Sequence, residues 1–394
     1  MSYIYPPILR VADGITKGVF NTTRELARRG HHVRVYTSNL LDLHSKASVC
    51  AGNFTIEGVD VQYLSSRRLY RTFIITLSMI PLFLKNRDNF DIIHIHDSRS
   101  FQGIVAYLFA RIRKVPFVFQ PHGSYLSPLL GSETKKMARI ALDKVIGEGL
   151  VKKASQVIVL TCAEAEQYRA MGVPEEKIAI IPNGIDLESY IDLPSRGTFR
   201  SKFSANDDDR VILFLGRIHK IKGIDLLVKA CAHLFDRFNN LSLAIVGSDD
   251  GYLGELKQML GKMKIIAKNV WLTGPLYGRD KLEAYVDADV FVLPSRYETF
   301  PNVVLEAYAC SKPVVASDVE SISDIVIHGK TGLLFSAGNV DDLESMISRV
   351  LTNPEEAEEM GHRARRFVED EFSIDKVVDS LEALYEKVLE EQAG

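Results

Sequence analysis

The chain has 394 residues, 46% hydrophobic and 25% charged, with a formal net charge of −3. This composition excludes a disordered chain, a collagen repeat and a coiled coil, and the length suits about two or three domains. A whole-chain basic footprint for nucleic acid is absent, so no nucleic-acid partner is expected.

The charge is unevenly placed. Residues 1–190 carry 24 Lys/Arg against 17 Asp/Glu, a net of +7, and residues 191–394 carry 24 against 34, a net of −10. Such asymmetry predicts different partners for the two halves. The four cysteines, Cys50, Cys162, Cys231 and Cys310, are scattered without a CxxC pair. That spacing disfavours a zinc site or a secreted disulfide framework and fits a reducing cytoplasm.

Only five residues precede Pro6-Pro7, so the opening strand of the first domain is either very short or begins upstream. Apolar, β-branched runs at 33–37, 91–95, 115–119, 157–160 and 177–181 predict parallel strands buried on both faces. A helical pattern occupies 19–29. The longest apolar stretch, 73–84, contains Pro81 and is shorter than the ~20 residues that span a bilayer. No segment has the pattern of a signal peptide.

Cations surround that stretch: Arg67, Arg68 and Arg71 before it, Lys85 and Arg87 after it. Lys135, Lys136, Arg139 and Lys144 would lie on one basic amphipathic helix. Cations beside apolar residues suit an anionic membrane surface. The other reading is core helices with solvated basic faces.

The turn signal Pro182-Asn183-Gly184 and the weakly periodic stretch that follows mark a domain break. A second series of strands is predicted at 211–215, 241–246, 269–272, 290–293 and 313–316, with a helix over 224–238. The alternation predicts two doubly wound α/β domains, 1–190 and 191–371. Charged helices close the chain, and a helix at about 372–392 would pack back on the first domain.

Two segments carry candidate chemistry. In the first, the strand at 211–215 runs into Gly216-Arg217 and a basic loop ending at Lys222-Gly223. Arg217 and Lys222 thus stand where the carboxyl end of a strand meets a helix, the usual ligand edge of an open α/β sheet. Two cations there suit a diphosphate; a solvated basic loop is the alternative. In the second, Glu298 lies in the loop after the strand at 290–293, and Glu306 lies about one turn into the next helix. Carboxylates accept hydrogen bonds from hydroxyls, and loop amides favour an anion. The apolar neighbours Val303, Leu305 and Ala307 argue that Glu306 is buried.

No metal is expected. Asp287-Ala288-Asp289 has a D-x-D form but sits between a helix and a strand, which favours a structural helix end. His94, His96 and Asp97 close a strand and are read as lining a cleft, with His96 and Asp97 available to an acceptor.

Together these segments resemble the retaining GT-B glycosyltransferases of family 4, the glycosyl transferases group 1. Glu298 and Glu306 match the E-x7-E motif, and Arg217 and Lys222 match the G-R-x4-K-G loop. Further matches are residues 26–37, with Arg29-Gly30-His31, then Gln120-Pro121-His122-Gly123, and 180–186 around Asn183-Gly184. Ile245-Val246-Gly247, Leu272-Thr273-Gly274 and Lys330-Thr331-Gly332-Leu333 complete the set, which spans about residues 5–375.

The resemblance implies two Rossmann-like domains facing a cleft, with a nucleoside-diphosphate sugar, UDP- or GDP-linked, held mainly by the second. It implies no required cofactor; the cysteine pattern and the basic, apolar stretches of the first half add the expectation of a cytoplasmic enzyme at the inner face of a membrane, with a glycan or lipid-linked acceptor. Arg217 and Lys222 would neutralise the departing diphosphate, Glu306 would bind the ribose hydroxyls, and Glu298 the sugar hydroxyls. The amides of Phe300, Pro301, Asn302 and Val303, as far as each has one, would support sugar or phosphate. Gly274 to Leu276 would line the base, and Gly216 and Gly247 would let backbone approach the nucleotide. His122 would reach the donor sugar, and Gly14 would mark the loop facing diphosphate and acceptor.

The sequence departs from the family pattern at several places. Ile15 follows Gly14 where a second Gly is usual, and Ser311 replaces the Gly before Lys312-Pro313. The late Gly-Gly-x-x-Glu loop reads Glu320-Ser321-Ile322-Ser323-Asp324, and Glu320 is expected to point away from a diphosphate. A nucleotide-sugar epimerase or hydrolase of the same fold, or a non-catalytic sugar-nucleotide binder, are the alternative functions.

Overall fold

The computed structural model describes residues 5, 14–40, 48–70, 73–85, 90–96, 100–123, 148–206, 208–263 and 269–393. The expected opening strand, Arg71, Arg87, Asp97 and the basic helix at 135–144 lie outside the described residues, as do the side chains of Arg68 and Lys85. The chain forms two units: Met1–Gly184 with Ile374–Gly394, and Ile185–Ser373. The second begins at Ile185, earlier than the residue 191 expected. The reason is local: Asp186 caps the 3-10 turn Leu187–Tyr190, and Tyr190 is buried beside Glu306 and Cys310 of the second unit.

The second unit is built on six parallel strands. Their spatial order is Val270–Gly274, Leu241–Val246, Arg210–Leu215, Val290–Leu293, Val314–Asp318, Leu333–Ser336. Numbered along the chain this is 3-2-1-4-5-6, the doubly wound order. Every residue of Leu241–Val246 is buried, as a parallel strand covered by helices on both faces requires. Helices Ile224–Arg237 and Val340–Thr352 supply Leu227, Leu234, Leu343 and Ile347 to that core. The edge strand Leu333–Ser336 was not expected, because Leu-Leu-Phe-Ser contains no β-branched residue. The order reverses between Arg210–Leu215 and Val290–Leu293. A doubly wound sheet opens its ligand crevice there, outside the carboxyl ends.

The first unit holds the parallel sheet Ile93–His96, Phe117–Gln120, Gln156–Val159, Ile178–Ile180. A second sheet pairs Arg34–Ser38 in parallel with Val59–Leu64, which runs antiparallel to Gly52–Ile56. This hairpin breaks the expected βαβ rhythm. It turns on Glu57 and Gly58, both left-handed at φ 49° and 81°, the pattern of a type I′ turn. The apolar stretch 73–84 divides into the strand Phe73–Ile75, paired with Arg67–Tyr70, and the helix Met79–Lys85. Among the described residues no helix is long and apolar enough to cross a membrane.

The C-terminal helix Ile374–Ala393 packs into the first unit. Val377, Leu381, Leu384 and Val388 meet Val118, Ile158 and Ile181. Burying each such side chain contributes about 1.5–3 kcal/mol. Arg29 clasps the helix from outside, reaching Asp379 at 2.6 Å, Glu382 at 2.7 Å and the Asp375 carbonyl at 2.9 Å. His31 adds a 2.7 Å contact to Glu382. The Arg29-Gly30-His31 motif therefore secures the chain's return.

On the inner side, the Tyr385 hydroxyl lies 2.7 Å from His94 Nδ1. The His94 and His96 rings stack at 4.0 Å and those of His96 and His122 at 5.2 Å, with His96 Nδ1 3.0 Å from His122 Nε2. Burial holds His94 and His96 well below the usual 6.5, and puts His122 at about 4.

Ser311 ends the helix Asn302–Ala309 in a left-handed conformation, φ 54°. Its amide donates to the Tyr308 carbonyl at 2.8 Å and the next amide, of Lys312, to Ala307 at 2.9 Å. This is a Schellman cap, a position that favours glycine. Ser311→Gly is therefore expected to stabilise the chain by about 1 kcal/mol in urea unfolding, the cost of a left-handed L-residue.

The buried histidines predict a pH dependence. Their folded pKa values lie below the unfolded value, so the folded state binds fewer protons. Stability is full above about pH 6.5 and is lost as pH falls towards 4. The melting temperature is expected to fall between pH 6.5 and 5, and to fall less in His122→Gln. An equal fall in the variant would show that other groups cause it.

Candidate active site

The carboxyl ends of the first three strands of the second unit in chain order bring three predicted glycines together. Leu215 pairs with Val246, and Val246 with Gly274. The Gly216 amide donates to the Val246 carbonyl and the Gly247 amide to Gly274, both at 3.0 Å. A Cβ on Gly247 would lie 1.7 Å from the Gly216 carbonyl oxygen, so no side chain fits there. Leu276, half-buried, follows Gly274 and precedes the helix Gly278–Asp287.

Across the switch point the loops after the first and fourth strands interlock. Gly223 has φ 66°, and a Cβ there would lie 1.9 Å from the Pro294 carbonyl oxygen. The Arg296 amide donates to the Ile221 carbonyl and its guanidinium to the Lys220 carbonyl, both at 2.8 Å. The same guanidinium grips Asp225 with two bonds of 2.8 and 2.7 Å.

This interlock presents the Lys222 ammonium to Glu298 Oε1 at 2.5 Å, with side chains 15% and 8% exposed. Ser295 Oγ donates to the same oxygen at 2.7 Å, and Ser321 Oγ donates to the Glu298 carbonyl at 2.7 Å. Arg217 is different: its side chain is 60% exposed and pairs with Asp250 at 2.5 Å. Glu320 is exposed and opens the short helix Glu320–Ser323.

Glu306 is buried on the helix Asn302–Ala309. Its Oε1 accepts from Lys281 Nζ at 2.7 Å, and its Oε2 from the Tyr285 hydroxyl at 3.0 Å. Lys281 and Tyr285 are four residues apart on the helix Gly278–Asp287, hence on one face. The Asn302 amide donates to the Phe300 carbonyl at 3.1 Å, because the chain turns tightly into the helix there, and Val304 donates to Pro301 at 2.8 Å. Phe300 and Pro301 are buried, while Asn302 and Val303 are half-buried.

The D-x-D carboxylates serve the backbone. Asp287, fully buried, accepts from the amides of Gly197 at 2.5 Å, Phe199 at 2.6 Å and Arg200 at 2.9 Å, at the start of the helix Thr198–Ser201. Asp289 accepts from the Arg200 guanidinium and the Val211 amide, both at 2.7 Å. Among the described residues no group of three or more His, Cys, Asp or Glu is disposed to hold a metal ion.

Gly14 and His122 belong to the first unit. Gly14 is exposed and opens the helix Gly14–Arg28. His122 follows the strand Phe117–Gln120 with a left-handed φ of 52°, a conformation costly outside glycine. Its Nδ1 is buried and lacks a hydrogen-bond partner among the described residues. The Gly123 amide donates to Glu164 Oε1 at 2.9 Å, and Leu160 to Oε2 at 2.8 Å. Burial raises the Glu164 pKa, and these two bonds oppose the rise.

Sequence reasoning missed Lys281, Tyr285, Asp250, Ser295, Ser321 and Glu164. Only Glu164 left a local signal, the capping-box spacing Thr161-x-x-Glu164, of which one half forms: Thr161 Oγ1 accepts from the Glu164 amide at 3.1 Å, while the carboxylate accepts from Leu160 and Gly123.

Known proteins share this organisation. Residues 12–189 match the model for Glycosyltransferase Family 4 and residues 195–367 that for Glycosyl transferases group 1. An uncharacterized glycosyltransferase of Methanocaldococcus jannaschii is 27% identical over 99% of this chain and 98% of its own. The D-inositol 3-phosphate glycosyltransferase of Gordonia bronchialis is 28% identical over 97% of this chain and 86% of its own. The structure of HepE from Anabaena in complex with UDP-glucose superposes with a TM-score of 0.73, at 20% identity, over 95% of this chain and 96% of that one. In order and in extent the two matched segments account for both units, and the chain belongs to the family 4, group 1 glycosyltransferases and is an enzyme of the GT-B fold.

Proposed function

We propose that the enzyme moves a sugar from a nucleoside-diphosphate sugar to an acceptor hydroxyl, with retention of anomeric configuration. The observation that carries this reading is the Lys222–Glu298 pair, half-buried at the switch point of the second unit. Glycosyl transfer leaves negative charge on the departing phosphate, and a preorganised cation there lowers the barrier. Lys222 and Arg217 supply that charge in place of a divalent metal. Glu298 binds the sugar hydroxyls. Its carboxylate is already engaged by Lys222 and Ser295, which supports a binding role over a nucleophilic one. Transfer then proceeds on one face of the sugar, and the leaving phosphate takes the acceptor proton. Glu306 binds the ribose.

The HepE complex with UDP-glucose makes a UDP-sugar the first donor to test and a GDP-sugar the second. The acceptor is a glycan or lipid-linked hydroxyl compound. The D-inositol 3-phosphate glycosyltransferases add a phosphorylated polyol to that class. A cytoplasmic enzyme at the inner membrane face fits the basic first half. In that unit the exposed Leu77, Leu84, Leu108 and Ile112 stand on or beside the packed helices Met79–Lys85 and Phe101–Arg113, and Arg111, Arg113 and Lys114 end the second of these. Apolar side chains rimmed by cations support contact with anionic lipid.

Three tests follow from this reading. Thermal-shift screening against UDP-, GDP- and ADP-sugars is expected to select one donor and to be unchanged by EDTA. With that donor, Lys222→Ala is expected to lower kcat about 100-fold, and Glu306→Ala to weaken donor binding, with circular dichroism unchanged. Normal turnover in both variants would overturn the site. Liposomes containing anionic lipid are expected to retain the protein at low salt and release it at high salt, and no retention at low salt would dismiss the membrane contact.

A further inference from the structure

We infer that Lys281 is a nucleoside-binding residue that reads the ribose diol together with Glu306. The inference rests on the assignment of Glu306 to the ribose. Two side chains of different kinds donate to the Glu306 carboxylate. Tyr285 is fully buried and closes the carboxylate from the interior. Lys281 is 19% exposed and is the partner on the open side.

An ammonium has three donors and a carboxylate only acceptors. A vicinal diol offers both kinds of group, so a Lys–Glu pair can accept from one hydroxyl while donating to the oxygen of the other. Neither residue alone can do both. Position supports the same end of the ligand. Lys281 lies in the first turn of the helix Gly278–Asp287, directly after the segment 274–276 assigned to the base. Its charge also offsets the burial of Glu306, which a purely structural role would explain equally well. Selectivity separates the two.

The test uses the full chain and calorimetric binding of UDP and 2′,3′-dideoxy-UDP. The wild type is expected to prefer UDP. Lys281→Met is expected to cut that preference about tenfold while changing dideoxy-UDP binding little, and Lys281→Arg to preserve it. Equal weakening of both nucleotides in Lys281→Met, or no change in either, would overturn the inference. If Lys281→Met fails to fold, Lys281→Gln carries the same comparison.

Glu306→Gln distinguishes the two levels of failure. If it leaves the preference intact, the ribose assignment itself falls. If it abolishes the preference and Lys281→Met does not, only the role of Lys281 falls. A wild type that binds no UDP moves the comparison to GDP or ADP and the matching dideoxy form, and binding of none of the three overturns both readings.

Discussion

The contact between Gly223 and the carbonyl of Pro294 sets the geometry on which the site depends. A Cβ at residue 223 would lie 1.9 Å from that oxygen, so the loops after the first and fourth strands can meet only because this residue has no side chain. Arg296 then ties the loops together through Ile221, Lys220 and Asp225. Lys222, one residue before the glycine, is thereby held against Glu298 at 15% exposure. A lysine–glutamate pair in open water contributes about 0–1 kcal/mol and has no fixed direction. Backbone packing converts the same two residue types into an oriented, half-buried pair.

What was legible in the sequence follows from the same physics. Strands buried on both faces are continuous apolar runs, so five of the six strands of the second unit could be read. Leu333–Ser336 lacked the β-branched signal, and the hairpin at Glu57-Gly58 was hidden by a turn without Asn or Asp. Glu306 was read as buried from its apolar neighbours, and it is. Lys281 was not readable. It meets Glu306 from a helix 25 residues earlier, and nothing in its own neighbourhood marks it. Asp250 reaches Arg217 over 33 residues in the same way. Motifs show residues whose neighbours in sequence share their task; partners brought together only by the sheet stay silent.

The departures from the family pattern show two outcomes of replacing glycine by serine. Ser311 keeps the left-handed backbone that glycine would adopt freely, and the cap closes through backbone bonds of Ser311 and Lys312 that glycine would make equally well. Ser321 uses its hydroxyl: it donates to the Glu298 carbonyl and so steadies the loop that carries the carboxylate. Glu320, next to it, sits exposed at a helix start, where the unsatisfied amides favour a negative side chain.

The net charge of the second half, −10 over residues 191–394, does not oppose an anionic donor, because the site is organised in pairs a few ångströms across. Salt screens exposed charges beyond about 8–10 Å, so a distant carboxylate matters far less than the local partner. Within the pairs the two cations differ. Arg217 and Asp250 meet at a surface where the arginine is 60% exposed, so water can replace either partner and the arginine can turn to a phosphate at little cost. Lys222 is held by a carboxylate that is 8% exposed, and separating them would leave Glu298 buried and unpaired. In the proposed reaction Lys222 is therefore the fixed charge, shared between Glu298 and the phosphate, and Arg217 is the mobile one. A sugar bound to Glu298 and a phosphate bound to Lys222 are then placed side by side by a single ion pair, the geometry that breaking the bond between them requires.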